Sequence, residues 1–166
     1  MSKRIVQVYH GTGKGKTSAA VGQCIRAASR GQSVIIIQFL KGKDAQEYSF
    51  LKKLEPDIKL FCFEKENESY MLLPEEKQND EKKNIINGLN FAKKVIDTHE
   101  CDVVVLDEIL GLIDVGIITI EDIIRLIEAR EDYVRLVLTG QHLPDELMQY
   151  VDVVSRIELI KDVEEV

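Results

Sequence analysis

Residues His10-Gly11-Thr12-Gly13-Lys14-Gly15-Lys16-Thr17 gather three glycines, two lysines and two hydroxyls into one short stretch. Glycine lets a backbone turn its N–H groups inward around anionic oxygens, and a helix opening near Lys16 adds the positive end of its dipole. Lys16 offers a point charge to a phosphate, and the Thr17 hydroxyl offers a ligand to Mg²⁺. The stretch therefore reads as a phosphate-binding P-loop, with His10 where the strict pattern has glycine. Gly11, Thr12, Gly13, Lys14, Gly15, Lys16, Thr17 and Ser18 are the residues expected around the phosphates of ATP.

Val103-Val104-Val105-Leu106 runs into Asp107-Glu108. An apolar strand ending in two carboxylates delivers them to the carboxyl end of a sheet, where ligands sit in open α/β folds. Either residue could hold Mg²⁺, directly or through water, or orient a nucleophile. A solvated strand end is the ordinary alternative, and the P-loop upstream favours the site. Two further strand ends reach the same edge: Val137-Leu138-Thr139-Gly140-Gln141, and Gln38-Phe39-Leu40-Lys41-Gly42, which presents Lys41. A plain strand-to-helix turn accounts for the first equally well, and a solvated lysine for the second. His10, His99 and His142 share no metal-ligand spacing, and no GxSxG or Cys/His pair points to covalent catalysis, so no nucleophile is assigned. His142 follows the Thr139–Gln141 turn and can approach the site.

These residues need a scaffold that brings strand ends together. Apolar runs alternate with helical periodicity, the pattern of an α/β chain with a mostly parallel sheet. Six strands are expected, at 5–9, 33–39, 59–63, 102–107, 133–139 and 151–159. Most are apolar throughout, so helices must cover both faces, giving a three-layer, P-loop NTPase-like (RecA-like) sandwich. The stretch 18–30 is rich in small residues that let a helix pack closely, and Gly31 ends it. Ile85, Leu89, Ala92 and Ile96 form one helical stripe; Ile120, Ile123, Ile124 and Ile127 form another, with Thr119 and Asp122 as a capping pair. Segment 64–83 is polar, with Tyr70, Met71, Leu72, Leu73 and Pro74 embedded in it. It reads as a mobile surface loop running into a helix, its apolar patch either an anchor on the core or a lid over a ligand.

At 166 residues, with 45% hydrophobic content, the chain has the size of one domain spanning residues 1–166. A net charge of −7 without a long basic run argues against a nucleic-acid backbone as partner, since that needs concentrated positive charge. No apolar run is long enough for a membrane span, and a soluble, cytoplasmic protein is expected. Cys24, Cys62 and Cys101 are far apart and lack ligand spacing, which fits isolated thiols rather than disulfides or zinc.

Taken in order, HGTGKGKTSAA, RGQSVIIIQFLKG, DVVVLDEILGLIDVGII and VLTGQHLPDEL resemble the ATP:corrinoid adenosyltransferases over nearly the whole chain. The resemblance implies transfer of the 5′-deoxyadenosyl group of ATP to the cobalt of a corrinoid, with release of triphosphate. It implies Mg²⁺ (Mn²⁺ being an alternative) at Thr17, Asp107 and Glu108, with Lys16 and Glu108 central to catalysis and Lys41 at the phosphates. It also implies a nucleotide reversed relative to other P-loop proteins, an external reductant such as a flavoprotein, and a homodimer. Tyr70, Met71, Gln141 and His142 become the candidates for the corrinoid side and its lid. The departures cluster there: Thr12 stands where the family usually has Asn, Gln141 where it has Arg, and there is no Trp for the usual aromatic pair. Near the end the family reads roughly TEMRPVKH and this chain SRIELIKD, keeping Lys161, exchanging acid and base at Arg156 and Glu158, and replacing His by Asp162. A P-loop ATPase or phosphotransferase, or an ATP- and corrinoid-binding homologue with impaired catalysis, are the alternative readings.

Overall fold

The computed structural model describes residues 5–42, 46–130 and 134–163. Six strands are present: β1 (Val6–His10), β2 (Val34–Gln38), β3 (Ile58–Cys62), β4 (Val103–Asp107), β5 (Arg135–Gly140) and β6 (Val153–Arg156). They form one sheet in the order β3-β2-β4-β5-β1-β6, and every neighbouring pair is parallel. Boundaries shift by one or two residues from expectation, and Tyr133, the expected start of β5, lies outside the described residues. β6 differs more. It stops at Arg156: Ile157 N–H still donates to the His10 carbonyl at the end of β1 at 2.8 Å, while the Ile157 carbonyl accepts from Gly13 N–H of the glycine loop at 2.9 Å.

Both faces of the sheet are covered, as the apolar strands require. Ile35, Ile37, Val104, Leu106, Leu136 and Leu138 project into one core, which holds α3 (Glu75–Asp97), α4 (Ile109–Asp114) and α5 (Ile120–Ala129). Val34, Ile36, Val103, Val105 and Val137 project into the other, against α1 (Lys16–Ala28) and Leu51 of α2 (Gln46–Leu51). Ala20, Cys24 and Ala27 are the buried face of α1, so the small residues do bring that helix down onto the strands. The helix begins at Lys16, where the glycine loop is expected to open into it, and it ends before Gly31, whose φ is 76°.

The stripe Ile85, Leu89, Ala92 and Ile96 is buried along α3. Thr119 and Asp122 form a reciprocal capping box at α5, and the backbone N–H of Thr119 holds the Asp122 carboxyl below its ordinary range. Segment 64–83, expected as a loop running into a helix, is irregular up to Pro74 apart from a short 3-10 turn at Tyr70–Leu72; α3 then starts at Glu75, with Glu75 and Glu76 facing its positive end. The charged residues from Glu75 onward, buried Glu81 excepted, lie on the wet face of that helix. Among the described residues no helix is long and apolar enough to cross a membrane, and none of the three cysteines is in a disulfide.

Candidate functional site

Because all six strands run the same way, β2, β4, β5 and β1 end side by side at one edge. Gln38 is level with Asp107 across β2 and β4, and His10 with Gly140 across β1 and β5. The glycine loop leaves β1 there. Gly15 caps α1 at φ 109° and ψ 2°, a backbone that side-chain-bearing residues rarely adopt. Gly11 and Gly13 serve a different need: a Cβ on either would collide with the backbone at Ile157. Gly11 N–H donates to the Gln141 carbonyl at 3.0 Å and Gly13 N–H to the Ile157 carbonyl at 2.9 Å. Those two amides are committed to the protein's own carbonyls. Thr12, Lys14 and Ser18 are exposed. Lys16 Nζ donates to the Gly13 carbonyl at 2.9 Å, which folds its charge back over the loop.

Asp107 is fully buried at the end of β4, and four side chains satisfy it. Oδ1 accepts from Thr139 Oγ1 at 2.7 Å and from Thr17 Oγ1 at 3.0 Å; Oδ2 accepts from Lys41 Nζ at 2.8 Å and from Gln38 Nε2 at 3.4 Å. Lys41 Nζ also donates to Thr17 Oγ1 at 2.8 Å. Lys41, expected at the phosphates, is therefore paired with a carboxylate. Glu108 follows at φ 61°, and it lines the neighbouring pocket while Asp107 is wholly buried. Its N–H donates to Thr139 Oγ1 at 2.7 Å. Burial and the Asp107 charge push the Glu108 carboxyl above its ordinary range, while Lys16 and Lys41 pull it back.

Leu40, at φ 64°, is likewise in the left-handed region, a conformation costing of order 1–3 kcal/mol that persists where its surroundings enforce it. Here they do. Glu64 accepts the Leu40 N–H, and Ser69 Oγ (2.8 Å) and Tyr70 N–H (3.3 Å) donate to its carbonyl. The segment between β3 and α3 thus straps the Leu40–Lys41 turn and fixes where Lys41 starts.

Beside this network lies a pocket of about 320 Å³ lined by residues including Lys41, Met71, Glu108, Asp114 and Gln141. Met71 is 62% exposed. Tyr70 requires a correction: it is only 3% exposed and sits in the core, so it anchors the segment and offers no aromatic surface to a ligand. The exposed apolar neighbours are Met71 and Leu72. His142 does not line the pocket; its Nδ1 lies 3.2 Å from Asp114 Oδ2.

Gln38, Thr139, Glu64 and the Ile157 carbonyl escape a reading by residue type. Gln38 and Thr139 could be found from position, since each ends a strand next to Asp107. Glu64 and Ile157 carry no local signal, because their roles depend on contacts with distant backbone. Thr17, Asp107 and Glu108 present only oxygen donors, the set that Mg²⁺ takes. The residues present fit that ion; among the described residues there is no cluster of three or more His, Cys, Asp or Glu side chains for a different one.

The sequence pattern of the family described as ATP:corrinoid adenosyltransferase BtuR/CobO/CobP matches residues 2–165. The corrinoid adenosyltransferase CobA of Salmonella typhimurium is 28% identical over 162 residues, covering 95% of this chain and 78% of that protein. The corrinoid adenosyltransferase of Pseudomonas aeruginosa is 25% identical over 158 residues, covering 95% and 76%. An uncharacterised Nostoc protein, all2391, is 26% identical over 163 residues; the match covers 92% of this chain but spans only 43% of that protein's length. With the match running from end to end, the chain belongs to the ATP:corrinoid adenosyltransferase family BtuR/CobO/CobP.

Proposed function

We propose that this chain transfers the 5′-deoxyadenosyl group of ATP to the Co(I) centre of a corrinoid. The cobalt electron pair forms the bond to C5′, the C5′–O bond breaks, and its electrons leave on triphosphate. No proton moves in that step, so no general base is needed; position and charge control suffice. The observation that carries the reading is the meeting of Lys16, Thr17, Lys41 and Asp107 at one sheet edge, beside a pocket that Glu108, Met71 and Gln141 help to line.

In this reading the amides from Lys14 to Ser18 and the Lys16 ammonium hold the triphosphate. Lys16 must then leave the Gly13 carbonyl for the phosphates. Thr17, Asp107 and Glu108 would hold Mg²⁺, or Mn²⁺ with the same donors, whose charge offsets that growing on the leaving group. Met71 and Gln141 face the corrinoid, with His142 behind them on Asp114. An external donor such as a flavoprotein reduces Co(II), and the enzyme works in the cytoplasm as a homodimer.

The test is incubation with Mg-ATP and chemically reduced Co(I) cobalamin, following the corrinoid spectrum and the phosphate product. A light-sensitive cobalt–carbon adduct with stoichiometric triphosphate is expected. ADP release with an unchanged corrinoid spectrum would establish a phosphotransferase or ATPase instead. Tight ATP and corrinoid binding without an adduct would mark a binding homologue.

A further inference from the structure

Asp107 is wholly buried, and an ionised carboxylate there needs a positive partner. Lys41 provides it, and its placement is specific. The ammonium stands 2.8 Å from Thr17 Oγ1 and 2.8 Å from Asp107 Oδ2, bridging two of the three side chains expected to hold the divalent cation. A metal ion taking the same oxygens at about 2.0–2.1 Å would overlap the ammonium and repel it. Lys16, the other lysine of the site, is turned to the Gly13 carbonyl and plays no part in this bridge.

We propose that Lys41 is a tethered counter-cation that occupies the metal position of the nucleotide-free protein and must swing out before a divalent ion can bind. This rests on the metal site proposed above and adds a control over its occupancy. The route out exists: the Lys41 side chain is 27% exposed and borders the pocket on which Glu108 also opens, so a second carboxylate waits along the way. The near end of the swing is fixed by the strapped left-handed turn at Leu40. Exchanging one cation for another at Asp107 gains little by itself. Divalent metal therefore enters with a polyphosphate, whose oxygens complete its shell and give the displaced ammonium a new partner. Lys41 makes metal binding conditional on nucleotide binding.

The measurement is Mn²⁺ binding to the nucleotide-free protein, read from the electron paramagnetic resonance signal of free Mn²⁺. Lys41→Gln should bind Mn²⁺ at least tenfold more tightly than wild type, and adding Thr17→Val should remove that gain. Equal or weaker binding by Lys41→Gln overturns the proposal, as does a gain that survives Thr17→Val. Should Lys41→Gln fail to fold, the ¹⁵N signal of the wild-type Lys41 ammonium decides. It should move when Mg²⁺ and a non-reactive ATP analogue are added together, and an unchanged signal overturns the proposal. Mn²⁺ held by wild type with that analogue, beyond what the analogue holds alone, tests the underlying metal site separately: it persists if only the role of Lys41 is wrong, and is missing if the site itself is wrong.

Discussion

Glu64→Gln is the most informative single substitution outside the ligand pocket. Glu64 is 2% exposed, one of its oxygens accepts the Leu40 N–H, and the other is buried without a partner. Burial, with a contribution from Glu81, pushes its carboxyl from 4.5 up to about 7, against the pull of the Leu40 amide. Below pH 4.5 the folded and unfolded chains both carry the proton, and the site adds no electrostatic penalty. Between 4.5 and 7 the unfolded chain releases it while the folded chain retains it, so stability falls as pH rises; above 7 the loss is constant. At about 1.4 kcal/mol per tenfold change, this group costs the fold about 3 kcal/mol across that window. Glutamine keeps an acceptor for Leu40 and cannot ionise. Urea denaturation of both proteins from pH 4.5 to 8 should show the stability of Glu64→Gln rising relative to wild type by about 3 kcal/mol, with the change complete near pH 7.5. A difference that stays flat within about 1 kcal/mol would refute the assignment of a buried, proton-retaining carboxyl.

Two other substitutions probe the framework. Gly11→Ala puts a Cβ into the Ile157 carbonyl at a φ of 116°, so residues 157–158 must lift off the loop; a loss of about 3 kcal/mol is expected in urea, and less than about 1 kcal/mol would mean the segment yields freely. Thr139→Val removes both the donor to Asp107 and the acceptor for the Glu108 N–H at nearly constant volume. It should cost about 2–3 kcal/mol by the same measurement, and unchanged stability would show that neither bond matters.

Much of this framework is legible in residue order. Continuous apolar strands imply two covered faces, and a glycine turn between β1 and a helix of small residues implies a loop at the carboxyl edge; both are present. That Asp107 meets Thr17 also follows, because β4 and β1 end at the same edge of a parallel sheet. What residue type leaves open is direction. Asp107 and Glu108 are chemically alike and adjacent, yet Asp107 is wholly buried and Glu108, at a left-handed turn, lines the pocket. Lys41 reads as a phosphate ligand or a solvated charge; Leu40, strapped in the same rare conformation, sets where it starts, and it pairs with Asp107. Tyr70 reads as a lid aromatic because it is the aromatic nearest to where the family resemblance implies one, but it is buried, and Met71 and Leu72 take the exposed positions of that turn.

The position of β1 has a consequence for how the protein is made. Although it is the first strand in the chain, both its neighbours, β5 and β6, come from residue 135 onward: Val6 is level with Leu136 and Gln7 with Val153. During synthesis the opening residues have no sheet partner until most of the chain has been translated, whereas β2 and β4 can pair earlier. Gly13 waits longer still, for Ile157. Loop-closure entropy must be paid over nearly the full chain before those contacts form, so the glycine loop closes late. A ribosome stalled before β6 emerges would carry a partly folded sheet whose glycine loop still lacks its contact with Ile157.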